Sequence, residues 1–200
     1  LVPYAGVNPA NGNLLFVDIN GALTENPTDG DKRATGKSIL PTFQGGFGFE
    51  TEYEGFFFNT LFTYTGDQWR LDNNLDSAMD IRNSDNFPVS NDLFNAWTPD
   101  NRNTNVPALA ASNIDSQDLS DRYLTDASFL RLRNITLGYS VPKRFLDDIF
   151  LKDITVRVIA ENYFTWTKWR GLDAERSVGS ESGGFYPTPK IITFGIDANF

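Results

Sequence analysis

The feature that most restricts this chain is a strict two-residue rhythm. The stretch "PKIITFGIDANF" (189–200) sets Ile192, Phe194, Ile196, Ala198 and Phe200 on alternate positions, with Thr193, Gly195, Asp197 and Asn199 between them. A period of two belongs to a β-strand with one apolar and one polar face. Four other stretches keep it. In "FQGGFGFETEY" (43–53), Phe43, Phe47, Phe49 and Tyr53 share a face with Gly45 and Thr51. In "FFFNTLFTYTG" (56–66), Phe56, Phe58, Phe62 and Tyr64 do the same, and the tight turn at Glu54-Gly55 predicts a hairpin. "SFLRLRNITLGYSV" (128–141) places Arg131 and Arg133 opposite Leu130 and Leu132. It then slips phase, so that Ile135, Leu137, Tyr139 and Val141 continue the apolar side, which predicts a bulge near Asn134. "ITVRVIAENYFTW" (154–166) sets Ile154, Val156, Val158, Ala160, Phe164 and Trp166 against Thr155, Arg157, Glu161, Tyr163 and Thr165.

Composition narrows what such strands can build. The apolar surface is largely aromatic, with 17 Phe, 7 Tyr and 4 Trp against one Met. With no cysteine there is no disulfide framework, thiol nucleophile or thiolate metal site, and with no histidine the commonest general base and zinc ligand are missing. A formal charge of −9 opposes binding to nucleic acid, which needs clustered Lys and Arg. No apolar run is long enough for a transmembrane helix, but barrel strands cross a bilayer with about ten alternating residues each.

Two further patterns favour a membrane barrel. Aromatic residues gather at strand ends: Tyr53 and Phe56 by one turn, Trp166 and Trp169 at a loop end, and Phe200. Such placing suits the aromatic girdles of the two membrane interfaces, Phe200 falling at the periplasmic one. Short connections (54–55 and 142–153) also alternate with long polar ones (1–42, 70–127 and 168–187), as in outer-membrane barrels whose short turns are periplasmic. The stretch 70–127 holds ten Asp, ten Asn and four Arg but no Lys or Glu, a composition for a solvated outer loop. Within it "SNDLFNAWTPDN" (90–101) predicts a short helix, capped by Ser90 and stopped by Pro99.

The expected architecture is all-β: an antiparallel transmembrane β-barrel portion of about five strands in residues 43–200. Residues 1–42 form an extracellular loop region, and 70–127 and 168–187 are extracellular loops. Five strands cannot close a barrel whose smallest form has about eight, so other strands must complete it. The alternative is a soluble β-sandwich module that binds carbohydrate, with its apolar faces packed on each other.

No motif calls for a cofactor, a metal or catalysis. "ATGKS" (34–38) lacks the glycine spacing and the strand-to-helix context of a phosphate loop, and "DINGALTE" (18–25) has glycine where a third calcium ligand belongs and reads as a turn. The "NIT" triplet (134–136) falls within a strand. Asp173 and Glu175 read as solvated loop charges rather than a glycosidase pair. Arg131, Arg133, Arg157 and Glu161 lie on the polar faces of adjacent strands, either as a salt-bridge network lining the barrel or as contacts for a ligand in its lumen. Trp97, Trp169 and Tyr186 are candidates for loop packing or for stacking on a partner or sugar. Trp166 and Phe200 are the interface anchors, and a terminal aromatic strand is also a handle for the outer-membrane insertion machinery.

Several longer stretches resemble the SusC/RagA group of TonB-dependent outer-membrane transporters: "GVNPANGNLLFVDING", "GKSILPTFQGGFGFETEYEGFFFNTLFTYTGD", "NAWTPDN", "DRYLTDASFLRLRNITLGYSVP", "ENYFTWTKWRGLDAE" and "YPTPKIITFGIDANF". The resemblance implies a C-terminal segment of a barrel of about 22 strands around a plug, in the outer membrane of a Gram-negative, Bacteroidota-like bacterium. It also implies import of oligosaccharides or peptides, a SusD-like surface lipoprotein as partner, and energy from TonB through a plug outside this segment. One departure is Asp173-Ala174-Glu175, where the family pattern reads Asp-Pro-Glu.

Overall fold

The computed structural model describes residues 1–146, 150–171, 173–175 and 187–200. Chain order runs β1 (Tyr4–Val7), β2 (Leu14–Val17), β3 (Leu23–Thr24), β4 (Phe43–Tyr53), β5 (Phe56–Gly66), β6 (Trp69–Leu71) and helix α1 (Asn73–Ala78). After several 3₁₀ turns come β7 (Leu124–Asp126), β8 (Phe129–Ser140), β9 (Asp153–Thr167) and β10 (Ile191–Asn199). The chain divides into two compact units, Leu1–Ile39 with Trp69–Asp126, and Leu40–Gln68 with Ala127–Phe200.

The first unit joins stretches that the sequence presents as separate loops. Antiparallel β1, β2 and β3 carry a small core of Val2, Leu14 and Phe16, with Ile114 and Leu119 packed on it from almost a hundred residues away. Polar side chains do the joining. The Asn113 amide donates to the carbonyls of Leu14 and Glu25 and accepts from the Leu14 N–H, replacing the ladder bonds that a longer strand would supply. Glu25 in turn accepts from the amides of Asn8, Asn11 and Asn13, whose bonds, Asn13 foremost, hold its carboxyl below the ordinary range. A second cluster of Met79, Leu93 and Tyr123 forms beneath the acidic stretch. The expected helix over 90–99 is a single 3₁₀ turn, Asn91–Asn95, with the Ser90 hydroxyl accepting from the Asp92 N–H at 3.2 Å. It ends at Ala96, whose extended backbone breaks the turn before Pro99 is reached. Of the segment 18–25, residues 18–22 form the turn between β2 and β3, in which the Asp18 carboxylate accepts from the N–H groups of Asn20 and Ala22, and Leu23–Thr24 is β3 itself.

The second unit is one antiparallel sheet in the order β10-β9-β8-β5-β4. Glu54 and Gly55 both have positive φ (50° and 86°), the turn that matches the twist of the β4–β5 hairpin. Cross-strand rows collect the apolar residues on one face: Phe47–Phe62–Leu132–Phe164 in one row and Thr51–Phe58–Leu137–Val158–Phe194 in another. This face has no second sheet against it among the described residues. Phe47 is 44% exposed, Val156 39% and Phe194 81%, so the packing that a sandwich requires is absent and the exposure that a barrel wall requires is present.

The phase slip is a bulge near Asn134, centred at Arg133. Arg133 has no register partner on β5 or β9, while Asn162 and Tyr163 loop out of the β9 register opposite it. One extra residue reverses the parity of β8 and two preserve that of β9, which lets Leu132 and Ile135 share a face with Ala160 and Phe164. Asn162 takes a left-handed conformation (φ 57°), for which Asn is well suited. Aromatic side chains mark both ends of the apolar face. At the hairpin end Phe56 lies 4.5 Å from Tyr139 and Phe150 lies 6.0 Å from Phe200; at the other end Phe164 stacks on Trp166 at 6.0 Å.

Candidate functional site

The bulge at Arg133 sets the chemistry of the opposite, polar face. Alternation points Arg131 to this face, and the extra residue points both Arg133 and Asn134 the same way, so two guanidiniums project within three residues. Asp173 and Glu175, which follow β9, meet them. The Arg131 guanidinium donates to the Asp173 carboxylate and, at 2.8 Å, to Glu175, while its Nε reaches Thr165 Oγ1 at 3.0 Å. Arg133 donates to the other Glu175 oxygen and to Thr63 Oγ1 at 2.9 Å. Asp173 also accepts from the Thr188 N–H and hydroxyl and from the Glu175 N–H. Burial pushes the Asp173 carboxyl up, but the bonds from Arg131 and Thr188 more than offset it and hold the carboxyl below the ordinary range.

Asp173 and Glu175 are therefore not the solvated loop charges expected from sequence. They are the counter-charges of the two arginines, and Ala174 between them is 2% exposed. A small residue meets that packing.

The four polar-face residues singled out from sequence do not form one network. Arg131 and Arg133 belong to the Asp173–Glu175 cluster. Arg157 pairs separately with Asp197 at 2.5 Å. Among the described residues no ion pair reaches Glu161, which instead borders an open concavity of roughly 640 Å³ with Asn59, Leu61, Thr63, Arg133, Asn134 and Asn162.

The candidate aromatics part in the same way. Trp97 is half-buried, its Nε1 donating to the Pro9 carbonyl and its ring covering Gly12, so it packs within the first unit. Trp169 is also half-buried, with its indole against Gly171. Trp166 and Phe200 are exposed on the apolar face, while Tyr186 lies outside the described residues. Sequence reasoning missed Thr63, Thr165, Thr188 and Asn162. Parity places Thr63 and Thr165 on the polar face, but nothing local marks them as partners of Arg133 and Arg131, or Thr188 as a partner of Asp173.

A twisted antiparallel sheet with one exposed apolar face, one charged face and aromatic ends is a wall of the transmembrane β-barrel type. No protein-family model matches the chain. It is similar to the TonB-dependent receptor P3 of Formosa agariphila, with 28% identity over 201 residues, 94% of this chain and 19% of that protein. It is also similar to the TonB-dependent receptor SusC of Bacteroides thetaiotaomicron, with 37% identity over 95 residues, 46% of this chain and 9% of that protein. Among solved structures, that of the RagAB peptide transporter superposes with a TM-score of 0.80 and 28% identity, over 98% of this chain and 22% of the other. Over nearly its whole length the chain is thus similar to TonB-dependent receptors, the group to which SusC belongs. It spans about a fifth of the length of the receptor P3 and of the RagAB chain.

Proposed function

We propose that this chain supplies wall strands and outer loops to a SusC-like TonB-dependent transporter that imports oligosaccharides or peptides across an outer membrane. On this reading the apolar face meets lipid and the charged face lines the lumen of a barrel of about 22 strands. Residues 1–42, 70–127 and 168–187 lie outside the cell, and Phe200 sits at the periplasmic interface and serves in assembly. A SusD-like surface lipoprotein is the partner, and TonB acts through a plug carried elsewhere in the receptor. The role is transport and not catalysis.

The observation that carries this reading is the opposition of the two faces of a single sheet. Large aromatic side chains stand exposed on one, while Arg131, on the other, is 4% exposed and fully ion-paired. In water the first arrangement invites aggregation; against lipid it is the stable one. The outer strands β4 and β10 are each paired on one side in the described sheet, which suits continuation by further strands. The test is fractionation and uptake with the full-length receptor. It should reside in the outer membrane, and uptake of its oligosaccharide or peptide should cease when TonB is deleted. Recovery as a folded, detergent-independent soluble protein would overturn the proposal.

A further inference from the structure

The polar face leaves one kind of charge unmatched. Each guanidinium is answered: Arg131 and Arg133 by Asp173 and Glu175, and Arg157 by Asp197. Glu161 is not. It stands in a cross-strand row with Leu61 and Asn134 along one side of the concavity, and Asn59, further along the lining, faces Glu50 across the β4–β5 pair. Among the described residues, no ion pair reaches Glu50 either. Lys190, which precedes the register partner of Glu161, directs its ammonium over the Tyr163 ring instead. Arg133 also lines the concavity, but its guanidinium is directed to Glu175, and that of Arg131 to Asp173 and Glu175. Asn162 is likewise engaged, donating to the Pro189 carbonyl.

We propose that this concavity is a cation subsite, in which the Glu161 carboxylate, with Asn59 and Asn134 beside it, receives an ammonium or guanidinium group. The inference rests on the lumenal assignment of the polar face. A neutral sugar would leave the carboxylate uncompensated, and an anion would meet it directly, whereas a primary amine matches both the charge and the surrounding amide acceptors. Such a group can arrive on a basic peptide from outside or belong to another part of the receptor's own chain.

The experiment uses the full-length receptor in outer-membrane vesicles with Asn59→Cys as a reporter. The thiol is treated with 2-aminoethyl methanethiosulfonate, a small cation, or with uncharged methyl methanethiosulfonate, and the rates are normalised to free cysteine. The normalised rate ratio should favour the cation and should fall by about threefold on Glu161→Gln, the effect of one carboxylate several ångströms away in a partly solvated site. If trilysine slows the reaction and maltotriose does not, the cation comes from solution. If the ratio depends on Glu161 but trilysine has no effect, the cation belongs to the receptor. A ratio that Glu161→Gln leaves unchanged overturns the proposal. A second reporter, Phe58→Cys on the opposite face, guards the underlying assignment. Should the charged reagent modify the thiol of Phe58→Cys and not that of Asn59→Cys, the lumenal reading has failed rather than the cation subsite alone.

Discussion

Replacing Arg131 by Met tests whether the loop after β9 is held to the sheet by charge. The Arg131 side chain is 4% exposed and its partner Asp173 13%, so removing the guanidinium strands a carboxylate that is largely out of water. Breaking a buried pair from one side costs about 3–5 kcal/mol. Two features lower that figure here. Glu175 is 33% exposed and keeps Arg133, and Asp173 keeps the bonds from Thr188. The expected loss is therefore about 2–4 kcal/mol of local stability. Arg157→Met is the contrast, because that pair is 39% and 51% exposed and is worth about 1 kcal/mol or less. Hydrogen exchange reads the difference where it matters. The amides of Glu175 and Thr188 donate to Asp173, and in Arg131→Met their protection should fall by about 30- to 1000-fold, the stated free energy converted to an equilibrium constant. In Arg157→Met it should barely change. The pH dependence has a definite sign. Asp173 has a folded-state pKa below its unfolded value, so its contribution is complete above about pH 4 and is lost as pH falls through the lower folded value. Equal protection in the two variants at pH 7, or protection lost between pH 8 and 5, would refute the reasoning.

Three other outcomes follow from the same geometry. Gly12 has φ 79°, and a Cβ there would lie 2.6 Å from Trp97 Cε3 and 2.7 Å from Ala108 Cβ; Gly12→Ala should cost about 2–3 kcal/mol in the first unit, read as increased exchange at Leu14 and Phe16. Asp76 is pushed up to about 6, first by burial and then by Asp118, with further contributions from Asp80 and Asp72 that Arg122 opposes, and its Oδ1 is buried without a hydrogen-bond partner among the described residues. A raised carboxyl costs stability at neutral pH and is relieved as pH falls through 6, so Asp76→Asn should stabilise the unit at pH 7.5 by about 1 kcal/mol after allowance for partial exposure, and should flatten its pH dependence. Thermal denaturation at pH 5.5 and 7.5 checks both parts. Phe194→Lys, on the exposed apolar face, should cost about 2–4 kcal/mol and reduce the folded receptor recovered from outer membranes, whereas Thr193→Lys on the polar face should not. Equal recovery of the two variants would contradict the assignment of faces.

The five long strands were legible because their signal is local. Period-two alternation needs only neighbouring residues, and Phe194 between Thr193 and Gly195 announces its face without knowledge of the fold. The bulge was legible for the same reason, being a change of parity; it falls near Asn134 as expected, and the register adds that Arg133 is the residue without a partner. The family resemblance, too, resides in contiguous stretches.

What the sequence determined by itself, then, is the set of strands, the side of each that is apolar, and the exclusion of thiol and imidazole chemistry. The tertiary structure alone decided which charges meet. Arg131 and Asp173 are 42 positions apart, and Asn113 and Leu14 are 99 apart. No periodicity links such pairs; they are brought together by sheet register and loop return, and a carboxylate that composition assigns to solvent becomes a largely desolvated counter-ion. For the same reason the acidic stretch 70–127 read as a loop. Its apolar residues are sparse in sequence, and they form a core only when Met79, Leu93 and Tyr123 converge in space.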